Sequence, residues 1–127
     1  MTFMNEPLEI ASRAPVWEAL SELFVGKELQ DYDYAAIAKA LRESGYSLDE
    51  LEQVLHQEVA PVFRSNLSPL AVPEMEGWAQ ETVATEVLAH LERKPRGLSR
   101  IVKRWIPAKT LPPLANERWI KVRSLLL

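Results

Sequence analysis

The chain contains no cysteine, only four glycines and no long apolar run. The lack of cysteine excludes disulfides, thiolate metal ligands and a cysteine nucleophile, and it permits a reducing compartment. No apolar run approaches the roughly 20 residues that a membrane-spanning helix needs. The N-terminal segment MTFMNEPLEI lacks the basic region of a secretory signal. We therefore expect a cytoplasmic protein.

Catalytic and cofactor motifs are missing as well. The sequence has no Walker A loop, no G-x-G-x-x-G and no G-x-S-x-G, and four glycines leave little material for a phosphate-binding loop. No serine stands in a context that indicates activation by a base. The sequence therefore predicts a non-catalytic protein without a cofactor.

The two histidines are the remaining candidates for a metal site. His56 follows Glu52 by four residues and His90 follows Glu86 by four, so each pair shares a helix face. The di-iron motif of helical bundles instead spaces Glu and His three apart. We interpret both pairs as solvated surface pairs and expect no metal. A small enzyme or metal protein centred on the histidines stays as a third hypothesis, after the two binding functions given below.

What the sequence does contain is helical patterning. Its 127 residues, 47% of them hydrophobic, match one globular domain. Glycine is scarce and apolar residues recur at helical spacing, which predicts an all-α fold. We expect a single domain over 1–127, a compact bundle of about five to six helices.

The first two predicted helices lie between Pro15 and Gly45. Pro15 fits the first turn of a helix that ends at Gly26, and its buried stripe comprises Val16, Leu20, Leu23 and Phe24. The next helix has Asp31 or Asp33 as its N-cap and Gly45 as its stop. Its expected buried residues are Tyr34, Ile37, Ala38 and Leu41.

The later helices are interrupted by prolines. Ser47 and Glu50 have the spacing of a capping box, and the helix that they open should end or kink at Pro61. Its inner face comprises Leu48, Leu51, Leu55 and Val59. After an irregular stretch, Ser65 to Val72, a longer helix is expected from Pro73 to Arg93, with a stripe of Met75, Ala79, Val83, Val87 and Leu91. Next we expect a short basic amphipathic helix, Leu98 to Ile106. A last helix is expected to start at Pro112 and Pro113, and its packing residues are Leu114, Trp119, Val122 and Leu126.

The net charge of −3 conceals a strong division along the chain. Residues 1–92 carry five Lys or Arg against seventeen Asp or Glu, a net −12, and residues 93–127 carry ten against one, a net +9. The acidic and basic parts could neutralise each other within one fold, or one of them could face a charged partner.

Each part offers a candidate binding surface. The acidic part concentrates carboxylates near helix starts and loop tips, with tyrosines available as anchors. The predicted partner-binding residues are Glu28, Asp31, Tyr32, Asp33, Glu43, Tyr46, Asp49, Glu50 and Glu52. The alternative is a nucleic-acid-binding patch on the basic helix, made of Arg96, Arg100, Lys103 and Arg104.

Part of the chain also resembles known sequences. Three motifs carry the resemblance: W-x-A-L-S-x-L-F at Trp17 to Phe24, Y-S-L-x-E-L-E at Tyr46 to Glu52, and E-V-A-P-V at Glu58 to Val62. With these motifs, the segment Val16 to Leu67 resembles an uncharacterised family of small helical bacterial proteins, a domain of unknown function. The resemblance implies a bacterial cytoplasmic protein and carries no activity with it.

These observations favour a non-catalytic protein-binding module. Its most concrete form is a cytoplasmic immunity or antitoxin-like protein that occludes a basic toxin or effector domain through an acidic helical face, without a membrane partner. The alternative is a nucleic-acid-associated or regulatory protein that uses the basic C-terminal helix.

Overall fold

The polypeptide is almost wholly helical where the computed structural model describes it, over residues 7–93 and 111–127, with side chains from Ile10 onward. The α-helices are Pro7–Ser21 (α1), Asp31–Glu43 (α2), Leu48–Val54 (α3), Ala60–Phe63 (α4), Gln80–Arg93 (α5) and Pro113–Leu126 (α6). Short 3-10 helices, Glu22–Phe24 and Arg64–Leu67, follow α1 and α4, and a π-helical turn, Leu55–Val59, joins α3 to α4. These ranges contain no strand, and the helices share one core. The predicted all-α, single-domain fold is confirmed.

Helix α1 supplies the centre of the core. Its predicted stripe is confirmed, since Val16, Leu20, Leu23 and Phe24 are all fully buried. Its predicted start is wrong, because the helix includes Pro7 and Pro15 lies in its interior. Proline cannot donate to the carbonyl of Ala11, but both residues are exposed, so water can bond that carbonyl instead. The α-helix ends at Ser21, before the predicted stop at Gly26.

Helix α2 follows the sequence prediction closely. Its buried residues are the predicted Tyr34, Ile37, Ala38 and Leu41. Gly45 has a φ of +79°, a backbone conformation that favours glycine, and it stops the helix as expected. The N-cap is Gln30, so the predicted N-caps, Asp31 and Asp33, are both wrong; the Gln30 backbone N–H donates to Asp33 at 2.8 Å.

Helix α3 begins with the predicted capping box. The Ser47 hydroxyl accepts the Glu50 N–H at 3.1 Å, and the Glu50 carboxylate accepts the Ser47 N–H at 2.8 Å. The helical backbone does not end at Pro61. It widens into the π-turn, in which the Ala60 N–H bonds to the Leu55 carbonyl, and then continues as α4. Because a proline ring clashes with the carbonyl four residues earlier in an α-helix, the wider turn gives Pro61 room.

Helix α5 begins at Gln80, so the predicted start at Pro73 is wrong. Residues before Gln80 are bonded elsewhere: the carbonyls of Glu74 and Met75 accept the backbone N–H groups of Gly26 and Lys27 at 2.7 and 3.3 Å. Gly77 has a φ of +111°, which no α-helix contains. Of the expected stripe, Val83 and Val87 are buried, Leu91 is half-buried, and Met75 and Ala79 are exposed.

Helix α6 packs on α2 and on the 3-10 helix that follows α1. It begins at Pro113 as predicted, and its Trp119 and Val122 are buried, whereas Leu114 is 42% exposed. Arg118, itself buried, donates to the carbonyls of Leu23, Val25 and Lys27 at 3.1, 2.9 and 2.7 Å. This arginine therefore fixes the chain that leads into α2. The predicted basic helix, Leu98 to Ile106, lies outside the described residues.

Candidate functional site

The predicted partner-binding residues lie at two ends of helix α2. Glu28, Asp31, Tyr32 and Asp33 lie at its N-terminal end, whereas Glu43, Tyr46, Asp49, Glu50 and Glu52 lie at its C-terminal end and in α3. A helix rises 1.5 Å per residue, so the 13 residues of α2 separate the two groups by about 18 Å. The structure thus forms two groups and not one continuous acidic face.

Most carboxylates of the C-terminal group have partners within the chain. Glu43 pairs with Lys39 at 2.9 Å, and Glu52 pairs with Arg123 of α6 at 3.0 Å. Glu50 belongs to the capping box of α3. Asp49 is exposed in the first turn of α3, where a negative charge favours the helix dipole. The carboxylates of this group therefore mainly stabilise the fold.

Of the two predicted tyrosine anchors, Tyr46 has partners within the chain and Tyr32 is exposed to solvent. The hydroxyl of Tyr46 lies 3.0 Å from Oγ of Ser12, and the guanidinium of Arg13 lies over its ring at 5.7 Å from the centroid. Tyr32, in contrast, is 74% exposed. Only the tyrosine at the N-terminal end of α2 is therefore available as an anchor for another molecule.

The N-terminal group keeps more of its charge in solvent. Glu28 and Asp31 are exposed and form no ion pair within residues 7–93 and 111–127. Asp33 is half-buried and accepts the N–H of Gln30. The nearest cation along the chain, Lys27, is paired with Glu76 at 3.3 Å.

Two further carboxylates, Glu22 and Glu76, which the sequence reasoning missed, extend this group. Glu22 is half-buried, and burial raises the pKa of its carboxyl; nearby Glu18, Asp33 and Glu76 raise it further, and Lys27 opposes them. Because Glu18 and Glu22 stand four residues apart, they share a helix face, which the sequence could have indicated. Glu76 belongs to a loop that is distant in sequence, so no local pattern predicts its place beside Glu22. We call Glu22, Glu28, Asp31, Tyr32, Asp33 and Glu76 the N-terminal acidic surface.

A buried ion pair lies elsewhere, between α1 and the π-turn. Both carboxylate oxygens of Glu58 lie 2.6 Å from Nη1 of Arg13, and the indole N–H of Trp17 donates to Oε1 at 2.8 Å. Sequence reasoning assigned Glu58 no role, although it lies three residues beyond Leu55 in the apolar stripe of its helix. A buried carboxylate needs such partners, so the three side chains join α1 to the π-turn.

The histidines do not build a metal centre in the part of the chain that the structure describes. His56 lies 3.4 Å from Glu52, which also binds Arg123. Across residues 7–93 and 111–127, no group of three or more His, Asp or Glu side chains could hold a metal ion. Within the same ranges, no helix combines the length and the hydropathy of a membrane span. The alternative basic patch, Arg96, Arg100, Lys103 and Arg104, lies outside the described residues.

The fold and its surfaces define a small all-α protein with a buried ion pair and an acidic end. A family model, described as a domain of unknown function (DUF7079), matches residues 11–125. The chain therefore belongs to this family, and the resemblance that the sequence predicted over Val16 to Leu67 extends over almost its whole length. Neither a curated protein nor a solved structure matches the chain.

Proposed function

We propose that the protein is a non-catalytic binding module whose N-terminal acidic surface captures a basic partner protein. The observation that carries the proposal is the exposure of Tyr32, 74%, between Asp31 and Asp33 and beside the exposed Glu28. Clustered charge of one sign speeds the approach of an oppositely charged partner, and tyrosine is among the residues that most often dominate the binding energy of an interface.

The basic part of the chain leaves this surface open where its residues are described. Arg118 binds backbone carbonyls, Arg123 binds Glu52, and Lys121 lies over the ring of Tyr34 at 5.0 Å from the centroid. None of these three side chains pairs with a carboxylate of the N-terminal acidic surface within the described ranges. Internal neutralisation by these three residues therefore accounts for part of the charge division, and none of the three occupies the N-terminal end of α2.

The most concrete form of the proposal is a cytoplasmic immunity protein of a bacterium. It would occlude a basic toxin or effector domain, as an antitoxin does, and would need no catalytic group of its own. The lack of catalytic motifs and the exposed acidic end both support this form.

The test compares the two ends of α2 with matched variants. Glu28→Lys/Asp31→Lys and Glu43→Lys/Asp49→Lys each reverse two exposed carboxylates and change the net charge equally. Asp33 and Glu50 are left intact because they hold the starts of α2 and α3. Tagged wild-type protein and both variants would be used to isolate partners from the source organism at moderate salt, and the purified partner would then be titrated.

The expected result is a basic partner protein that halts growth when expressed alone and is neutralised by co-expression of the wild-type chain. Glu28→Lys/Asp31→Lys should weaken that complex at least about tenfold, because like charges would then face each other. The other double variant should bind nearly as well as wild type. Equal loss in both variants, or capture of DNA or RNA in place of a basic protein, would contradict the proposal.

A further inference from the structure

A second surface adjoins the N-terminal acidic surface, and it is apolar. The loop between Leu67 and Gln80 carries Leu70, Val72 and Met75, which are 96%, 97% and 47% exposed. Isolated apolar residues are common on protein surfaces, but three exposed apolar side chains within six residues of one loop favour an interaction site. We call Leu70, Val72 and Met75 the apolar loop.

The apolar loop is held in place by hydrogen bonds on both sides. The side-chain amide of Asn66 donates to the carbonyls of Phe24 and Glu74 at 2.7 and 3.0 Å, and its oxygen accepts the Glu74 N–H at 2.7 Å. The Gly26 N–H donates to the same Glu74 carbonyl at 2.7 Å. A side chain at Gly26 would collide with Met75 and Pro73, so the two segments approach closely. A loop fixed in this way presents its side chains with little further ordering cost on binding.

An open groove of about 390 Å³ lies beside the loop. Ala71 and Val72 contribute to its lining together with Phe63 and Trp78, whose rings lie 4.6 Å apart between centroids. Trp78 is only half-buried. The groove therefore offers aromatic and aliphatic surface to side chains that enter from outside.

The chain from Ser65 to Glu92, which supplies most of the groove's lining, is acidic, although the exposed Arg64 immediately precedes it. No Lys or Arg occurs between Arg64 and Arg93, whereas that interval holds five glutamates. Glu86 lines the groove, and Glu74, Glu76 and Glu81 are exposed nearby in sequence. A symmetric dimer through this surface would bring these carboxylates against their own copies, which like-charge repulsion opposes.

We propose that the apolar loop and the groove dock an amphipathic basic segment of the partner protein, with its aliphatic side chains against Leu70 and Val72 and its Lys or Arg beside the glutamates. The proposal rests on the proposed function and specifies the second contact that the partner makes. The Lys27–Glu76 ion pair and the Gly26–Glu74 backbone bond join the loop to the N-terminal acidic surface, so one partner can reach both.

The test uses synthetic peptides as probes. The first is an amphipathic helical peptide of Leu and Lys, the second has the same composition in shuffled order, and the third replaces every Leu by Ser. Binding at physiological salt would be followed by titration and by tryptophan fluorescence, with Trp78→Phe to identify the signal from the groove. The control for Leu70→Ser/Val72→Ser is Ile120→Ser/Leu125→Ser, which removes two exposed aliphatic side chains from α6.

The amphipathic peptide should bind wild type at least about tenfold more tightly than the other two, and Leu70→Ser/Val72→Ser should remove that advantage, since each buried aliphatic side chain contributes roughly a factor of ten or more. The control variant should bind as wild type does. Equal binding of all three peptides, abolished only by Glu28→Lys/Asp31→Lys, would refute the docking surface and leave the proposed function standing. No binding of any peptide would overturn both. Self-association of wild type that disappears in Leu70→Ser/Val72→Ser would show that a second copy occupies the surface, and would also overturn the inference.

Discussion

Replacing Glu58 with glutamine should destabilise the protein, because it leaves a buried arginine without its carboxylate. The side chains of Arg13 and Glu58 are only 5% and 12% exposed, and their polar atoms lie 2.6 Å apart. Removing one partner of such a pair costs about 3–5 kcal/mol. The glutamine oxygen can still accept the indole N–H of Trp17, so we expect a loss near the lower end, about 3 kcal/mol. That is a large part of the roughly 5–15 kcal/mol that stabilises a typical domain.

The measurement is urea unfolding followed by circular dichroism. Glu43→Gln serves as the matched control, because it makes the same chemical change in the exposed pair with Lys39 and should cost about 0.5 kcal/mol or less. A double variant, Arg13→Met/Glu58→Leu, removes both charges. It should retain a cost of about 1–3 kcal/mol for the indole N–H that has lost its acceptor, and so recover up to about 2 kcal/mol of the loss.

The reasoning is refuted if Glu58→Gln and Glu43→Gln unfold at the same urea concentration and the dependence of their unfolding free energy on urea is unchanged. The same conclusion would follow if the double variant were less stable than Glu58→Gln, because the buried charge of Arg13 would then not be the source of the cost.

Three other predictions concern the chain around the N-terminal acidic surface. Arg118→Met should lower the free energy of unfolding by about 2–4 kcal/mol, since it leaves three backbone carbonyls without their donor, and a thermal melt would detect the change. Gly77→Ala should cost about 1–3 kcal/mol from its positive φ, and more than Gly45→Ala, because its φ of +111° lies further from the left-handed helical region than the +79° of Gly45. An added Cβ at position 77 would also displace the Glu22 carboxylate, 2.7 Å away, whereas it meets nothing within 4 Å at position 45. Equal losses in urea unfolding would contradict this. Glu22→Gln should stabilise the protein at neutral pH and lose that advantage in acid. Burial raises the pKa of the Glu22 carboxyl above its ordinary 4.5, so the folded state holds the proton longer and its stability falls as pH rises through this range, which a pH series of unfolding curves would reveal.

Local patterns made most of the helices predictable. The apolar spacing of α2, the capping box of Ser47 and Glu50, and the stop at Gly45 all depend on residues within a few positions of each other. The start of α5 was not predictable in this way. The segment from Pro73 has helical apolar spacing, but its backbone is bonded to Gly26 and Lys27, nearly 50 residues away.

The candidate site was predictable only in part, for the same reason. Composition indicated an acidic region and named Glu28, Asp31 and Tyr32. It could not separate the two ends of α2, because the partners that engage Tyr46 and Glu52 come from α1 and α6. Glu76 joins the acidic surface only through a tertiary contact.

Because of the π-helical turn, the Arg13–Glu58 ion pair depends on the number of residues between Val54 and Ala60. A turn closed by a bond from Ala60 back to Leu55 holds one residue more than an α-turn. Deleting a residue between Val54 and Ala60 would rotate the two sides of the deletion by about 100° relative to each other, so Glu58 could not face Arg13 while Leu51 and Phe63 both kept their buried places. Members of the family that are one residue shorter here should therefore lack a proline at the position of Pro61 and should carry an uncharged pair at the positions of Arg13 and Glu58.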